Sequence, residues 1–168
     1  MKISRSLRIL LIFAFILMNV GCDQVSKSVA RTHIDTHESI SVIGEYVILT
    51  KTENKGAFLG FLSSMENPIM KGIFLIVLPI AVLLFILRII IVNTDLDRYM
   101  IFGLCCIIGG GIGNLYDRIL YSSVTDFMHI DLGGIFKTGI FNMADVSVML
   151  GTGLLILSFI KRKEVSLS

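Results

Sequence analysis

Apolar positions in this chain fall into long blocks separated by polar stretches. Four blocks stand out: 9–22, 69–92 (interrupted only by Lys71 and Arg88 near its ends), 100–116 and 140–160. A helix that crosses the hydrocarbon core of a bilayer needs about 20 residues at a rise of 1.5 Å each. The second and fourth blocks meet that length and the third nearly does. The first is short, but Asp23-Gln24-Val25-Ser26-Lys27 can continue its helix, with Asp23 and Lys27 four apart on one face. The pattern therefore predicts a mainly α integral membrane protein, one domain over 1–168, with transmembrane helices at about 8–26, 69–92, 99–116 and 141–160. Asn67-Pro68 reads as an N-cap followed by a proline at the first helical position. Pro79 is expected to kink the second helix. Gly109 and Gly113 form a GxxxG, a mark of close helix packing, within one chain or between chains.

Two longer connections remain, at about 27–68 and 117–140. In the first, Val42, Ile43, Tyr46, Val47, Ile48 and Leu49 are good β-formers, and Gly44 marks a turn or bulge among them. They predict a small extended sheet on the membrane surface. The apolar stretch 56–62 is too short to span and is expected at the interface.

Composition agrees with lipid as the solvent. Of the 168 residues 54% are hydrophobic and 17% charged, with a mean hydropathy of +0.83; a soluble domain carries about 25% charged residues. The net charge of +2 and the lack of a basic stripe give no reason to expect nucleic acid. Basic residues instead flank the apolar blocks. Lys2, Arg5 and Arg8 precede the first, and Lys161, Arg162 and Lys163 follow the fourth. The positive-inside rule then puts both termini in the cytoplasm, which requires an even number of spans. The connections 27–68 and 117–140 would face outward. A competing reading takes the basic start and first block as a signal peptide ending at Val20-Gly21-Cys22. It would leave three spans, and position 19 is Asn where a lipoprotein cleavage box wants a Leu-like residue.

Candidate chemistry gathers on the outward side. Asn114, Asp117 and Arg118 fall at the end of the third block, Asn142 and Asp145 at the start of the fourth, and Asp126 in the connection between them. Both Asn/Asp pairs have i,i+3 spacing, one face of a helix. An ionisable group within a span costs about 2.5–3.5 kcal/mol on insertion scales and is a functional hypothesis by default. Asp145 is expected about one turn inside its helix. Asp117 beside Arg118 also reads as a packing or capping pair, Asn114 and Asn142 as interhelical hydrogen bonds, and Asp126 as a solvated loop residue. Two carboxylates brought close share a proton, so one can accept from water while the other donates to a carbonyl oxygen. Cys22, Cys105 and Cys106 show no CxxC, and His33, His37 and His129 no HExxH, so neither metal nor cofactor is expected. No GxSxG or SxxK is present, and the glycines at 109–113 lack the GK[ST] of a phosphate loop.

Five motifs in order resemble the lipoprotein signal peptidases, or signal peptidase II, over nearly the whole chain. They are Asp23-Gln24-Val25-Ser26-Lys27, Asn54-Lys55-Gly56-Ala57-Phe58, Gly113-Asn114-Leu115-Tyr116-Asp117-Arg118, Val124-Thr125-Asp126-Phe127 and Phe141-Asn142-Met143-Ala144-Asp145. The resemblance implies four transmembrane helices with a small extracytoplasmic β-cradle between helices 1 and 2. It implies an aspartic endopeptidase of the bacterial cytoplasmic membrane, a target of globomycin-type peptides, that cuts prolipoproteins before a diacylglyceryl-modified cysteine. Carried onto this chain, Asp126 and Asp145 would be catalytic. Asp23, Lys27, Asn54, Gly56, Asn114, Asp117, Arg118 and Asn142 would support the dyad or contact substrate. Lys55 departs from the smaller or polar residues usual at its position. The expected partners are lipidated prolipoproteins and membrane lipid, and the expected state is a monomer.

Two other classes stay open. A small ion- or proton-coupled carrier would use Asp145 and Asp117, but 100–108 and 149–160 are nearly free of charge and offer no path to the other face. A lipoprotein anchored at Cys22 would have a mature chain starting there.

Overall fold

The computed structural model describes residues 4–35, 38–57, 62–134 and 136–167. Helix α1 (Arg5–His33) is followed by strands β1 (Ile40–Ile43) and β2 (Val47–Asn54) and helix α2 (Pro68–Val92). Then come α3 (Arg98–Tyr121), β3 (Val124–Ile130) and α4 (Met143–Leu167). Each of the four helices is long and apolar enough to cross a membrane.

Every span exists, with displaced limits. Ser4 caps α1, whose 29 residues run unbroken through Cys22 and on past 26. The extra turns stay helical because their polar side chains are buried against partners: Asp23 and Lys27 are fully buried and 2.8 Å apart. Asn67 caps α2 as its side chain accepts from the Ile69 and Met70 N–H groups. Within α2 the turn Ile73–Val77 is π-wound and lies just before Pro79. Proline has no N–H and crowds the carbonyl four residues back, and a wider turn there relieves both problems. Asp97 caps α3.

Helix α3 is the hub, packed against α4, α1 and α2. Its glycines make this possible. A Cβ at Gly109 or Gly113 would strike Asn19 or Asp23 of α1, one at Gly110 the Ala144 carbonyl of α4, and one at Gly111 Leu83 of α2. The GxxxG thus works within the chain. Below it Ile12, Ile16, Ile90, Cys105 and Ile108 form a buried core.

The small sheet expected in the connection between α1 and α2 is present, and it gains a strand from outside that connection. β1 and β2 pair antiparallel around the turn at Gly44, whose φ is +53°. β3, from the connection between α3 and α4, adds a third antiparallel strand to β2, with Thr52 opposite Asp126 and Asn54 opposite Val124. Asp126 is therefore a strand residue, not a loop one. Of the apolar stretch 56–62, residues 58–61 lie outside the described residues, as do Lys2 and His37.

Candidate active site

Four elements deliver the polar residues to one cleft, β2 among them through Asn54. β3 carries Asp126, and Val124 to Phe127 are buried on it. The first turn of α4 carries Asp145, nearer the helix start than expected. Asn142 caps that helix: its Oδ1 accepts from the Asp145 N–H at 3.0 Å, and Asp145 Oδ2 accepts from the Asn142 N–H at 3.1 Å. This reciprocal box fixes the carboxylate relative to the backbone. α3 carries Asn114 and Arg118. Asn54, Asn114, Arg118, Asp126 and Asp145 line a cleft of about 210 Å³, with Ile140, Val148 and Met149 as apolar wall.

Asparagine amides hold both acids. Asn54 Nδ2 donates to Asp126 Oδ2 at 3.1 Å and Asn142 Nδ2 to Asp126 Oδ1 at 2.5 Å. Asn114 Nδ2 donates to Asp145 Oδ1 at 3.0 Å, and Asn142 Nδ2 also reaches Asn114 Oδ1 at 3.1 Å. The two acids are thus joined through Asn114 and Asn142. Burial pushes the Asp126 carboxyl up to about 6; the Asn54 hydrogen bond opposes that, and the negative charge of Asp145 adds to it. Gly56 is buried; its N–H is accepted by Asn54 Oδ1 and its carbonyl accepts from Arg118 Nη2 at 3.0 Å.

Behind the cleft lies a second cluster. Lys27 Nζ meets Asp23 Oδ2 at 2.8 Å, Asp117 Oδ2 at 3.2 Å and Asn114 Oδ1 at 2.9 Å, which uses all three of its protons. Asp23 Oδ1 accepts from the Ala144 N–H at 2.9 Å, so this acid also caps α4. Arg31 pairs with Asp117 at 2.9 Å, lies over the Tyr121 ring and donates to Thr125 Oγ1.

Asp23, Lys27, Asn54, Gly56, Asn114, Arg118, Asp126, Asn142 and Asp145 therefore form one connected assembly. One reading needs correction. Asp117 pairs with Lys27 and Arg31, not with Arg118, because neighbours on a helix point about 100° apart. It also lies behind the cleft rather than in it. Gln24 and Thr125 stand in the sequence only as members of motifs, and Arg31 and Glu53 in none, though each touches the cluster or braces β3: Gln24 bonds Asp23 and Asp117, and Thr125 Oγ1 donates to Glu53 Oε1. A periodicity signal exists for Arg31, four residues past Lys27, but not for Gln24, one residue past Asp23. Glu53 and Thr125 gave none. Among the described residues no group of three or more His, Cys, Asp and Glu is placed to hold a metal ion.

A multi-pass helical bundle with paired aspartates on a strand and a helix start defines a class: an aspartic-type membrane protease. The family described as signal peptidase (SPase) II matches residues 15–161, and the chain belongs to it. A lipoprotein signal peptidase of Maridesulfovibrio salexigens is 38% identical, over 84% of this chain and 89% of that protein. One of Clostridium tetani is 34% identical over 87% and 90%. Two solved structures of bacterial membrane enzymes superpose with TM-scores of 0.79 and 0.77 at 27% and 26% identity, covering 91% and 90% of this chain and 89% and 93% of theirs. The carrier reading finds no counterpart among these relatives.

Proposed function

We propose that the chain is the bacterial inner-membrane peptidase that removes signal peptides from prolipoproteins, with Asp126 and Asp145 as its catalytic pair. The supporting observation is the cleft itself: two carboxylates from different elements, linked through Asn114 and Asn142, face one cavity. Burial favours the neutral form of Asp126, so the shared proton rests there. Asp145 then takes a proton from water as its oxygen attacks the scissile carbonyl. Asp126 donates its proton to the carbonyl oxygen. As the tetrahedral species collapses, the leaving amine takes the proton held by Asp145, and the pair is restored by the carboxyl product's proton. Asn114 and Asn142 keep the acids oriented through the cycle. Arg118 Nε is buried and makes no hydrogen bond among the described residues, and it is suited to a substrate carbonyl.

The remaining assignments rest on chain chemistry and family membership. α1 is retained rather than cleaved, since its Ile12 and Ile16 belong to the buried core with Ile90, Cys105 and Ile108. Both termini are cytoplasmic and the cleft opens near the outer face, as the basic flanks require. The whole of 1–168 is one peptidase domain, and it acts as a monomer. The substrate is a helix with a diacylglyceryl-modified cysteine. It enters laterally, and its lipid stays in the bilayer, which holds the bond in place at little entropic cost. Cleavage falls before that cysteine.

Cleavage of a lipidated precursor by purified protein in vesicles tests this. Asp126→Asn and Asp145→Asn should each insert normally and lose turnover by at least about a thousandfold, the scale for removing an acid–base group. Turnover within tenfold of the parent in either variant removes that residue from the pair. Equal cleavage of an unlipidated precursor removes the lipid from substrate recognition.

A further inference from the structure

At the end of the bundle remote from the acids, α1 and α3 leave a groove of about 150 Å³ that the peptidase reaction does not use. Its walls are Ile12, Phe15, Phe102 and Cys105, and Arg8 and Arg98 stand at its mouth. Phe15 and Phe102 meet edge to face, 5.2 Å between ring centres. Ile12 and Cys105 are buried beneath them, so the groove has a fixed floor.

The arginines at the mouth are held in place. Arg8 Nη2 donates to the Ile90 and Asn93 carbonyls, which anchors the guanidinium on the end of α2. Arg98 is exposed and stacks on Tyr99. Lys161 adds a third cation, 4.2 Å from the centre of the same ring. Among the described residues the acids at this end are Asp95 and Asp97. Asp95 is exposed and accepts from Thr94, while Asp97 accepts from the Met100 N–H and the Ser158 hydroxyl. Cations outnumber acids around the mouth.

An apolar slot capped by clustered cations at a membrane boundary matches one class of molecule. The slot takes hydrocarbon and the cations take a phosphate, as basic pockets between transmembrane helices do. A zwitterionic lipid would fill the slot but bring its own ammonium to the arginines. We propose that this groove binds one anionic phospholipid, an acyl chain between Phe15 and Phe102 and the phosphate on Arg8 and Arg98. The lipid bridges the start of α1 to the start of α3, where the helices are joined by little else polar.

The chain contains no tryptophan, which permits a clean test. Phe102→Trp puts one reporter in the groove wall. Leu84→Trp, on the exposed face of α2, puts one in bulk lipid contact. Each is reconstituted in phosphatidylcholine vesicles, and acyl-brominated phosphatidylglycerol or acyl-brominated phosphatidylcholine is titrated in. Bromine quenches only where the chain touches the ring. For Phe102→Trp the brominated phosphatidylglycerol should quench at about fivefold lower mole fraction, the effect of roughly one cation near the surface. Leu84→Trp should not distinguish the two lipids. Adding Arg98→Gln, which removes an exposed cation, should erase the preference at Phe102→Trp while helicity by circular dichroism stays unchanged. Equal quenching by both lipids at Phe102→Trp, or a preference that survives Arg98→Gln combined with Arg8→Gln, overturns the site.

Discussion

Asp126 is placed at a cost in stability. Its carboxyl is 4% exposed and its pKa is raised from the ordinary 3.8 to about 6. The folded protein therefore holds the proton up to about pH 6, while the unfolded chain releases it near pH 4. Stability is greatest below the unfolded value and falls as pH rises through the folded one. The gap amounts to about 3 kcal/mol above pH 6. Asp126→Asn removes the ionisation but sets an amide N–H against a donor, since both Asp126 oxygens accept from amide groups. That mismatch returns about 1 kcal/mol. The variant should thus be inactive yet more stable than the parent by about 2 kcal/mol at pH 7.5, and the advantage should vanish near pH 4. Thermal unfolding in detergent at the two pH values measures it. A variant less stable at both would mean that Asp126 braces the fold rather than burdening it.

At the level of elements, close approach explains which small residues matter. Gly113 faces the Asp23 carboxylate, and Gly153 on α4 faces open space. Gly113→Ala should therefore cost about 2–3 kcal/mol through overpacking, whereas Gly153→Ala should stabilise by up to about 1 kcal/mol through helix propensity. Midpoints of thermal unfolding for the two variants check this; the reverse order would show that the α3 glycines do not set the helix spacing. Local spacing and long-range pairing differ in how far a sequence reveals them. The spans were legible because apolar blocks of their length have one use, and Asp23 and Lys27 because i,i+4 is a local geometry. β3 was not legible. Its partner, Asn54 opposite Val124, lies far off in the chain. An aspartate at its centre also argues against a strand, although pairing and the Asn54 amide satisfy it here. The end of α1 and the start of α4 shifted for a related reason: polar contacts between helices help to set them, not only where the apolar block stops.

The whole molecule is pinned at one buried ion cluster. Asp23, Lys27 and Arg31 of α1 and Asp117 of α3 carry two charges of each sign, Asp23 also caps α4, and through Asn114 and Thr125 they touch both the Asp145 helix and the Asp126 strand. Such a cluster is stable only while it is complete. Deleting one partner strands the opposite charges in the interior and costs about 3–5 kcal/mol. Lys27→Met should therefore sharply lower the yield and thermal midpoint of folded protein. Adding Asp23→Asn restores charge balance, because Asp117 then keeps Arg31 as its counterion, and the amide oxygen can still accept from the Ala144 N–H. The double variant should be more stable than Lys27→Met alone, a coupling of about 1–3 kcal/mol between touching residues. Its activity should stay low even so. Without the Lys27 ammonium, Asn114 Oδ1 loses its charged donor and keeps the neutral Asn142 amide, so the amide that orients Asp145 is held less firmly. Recovered folding with recovered turnover would show that Lys27 serves the bundle alone; recovered folding with a reduced kcat at unchanged KM would show that the cluster holds the fold and also aims the acid.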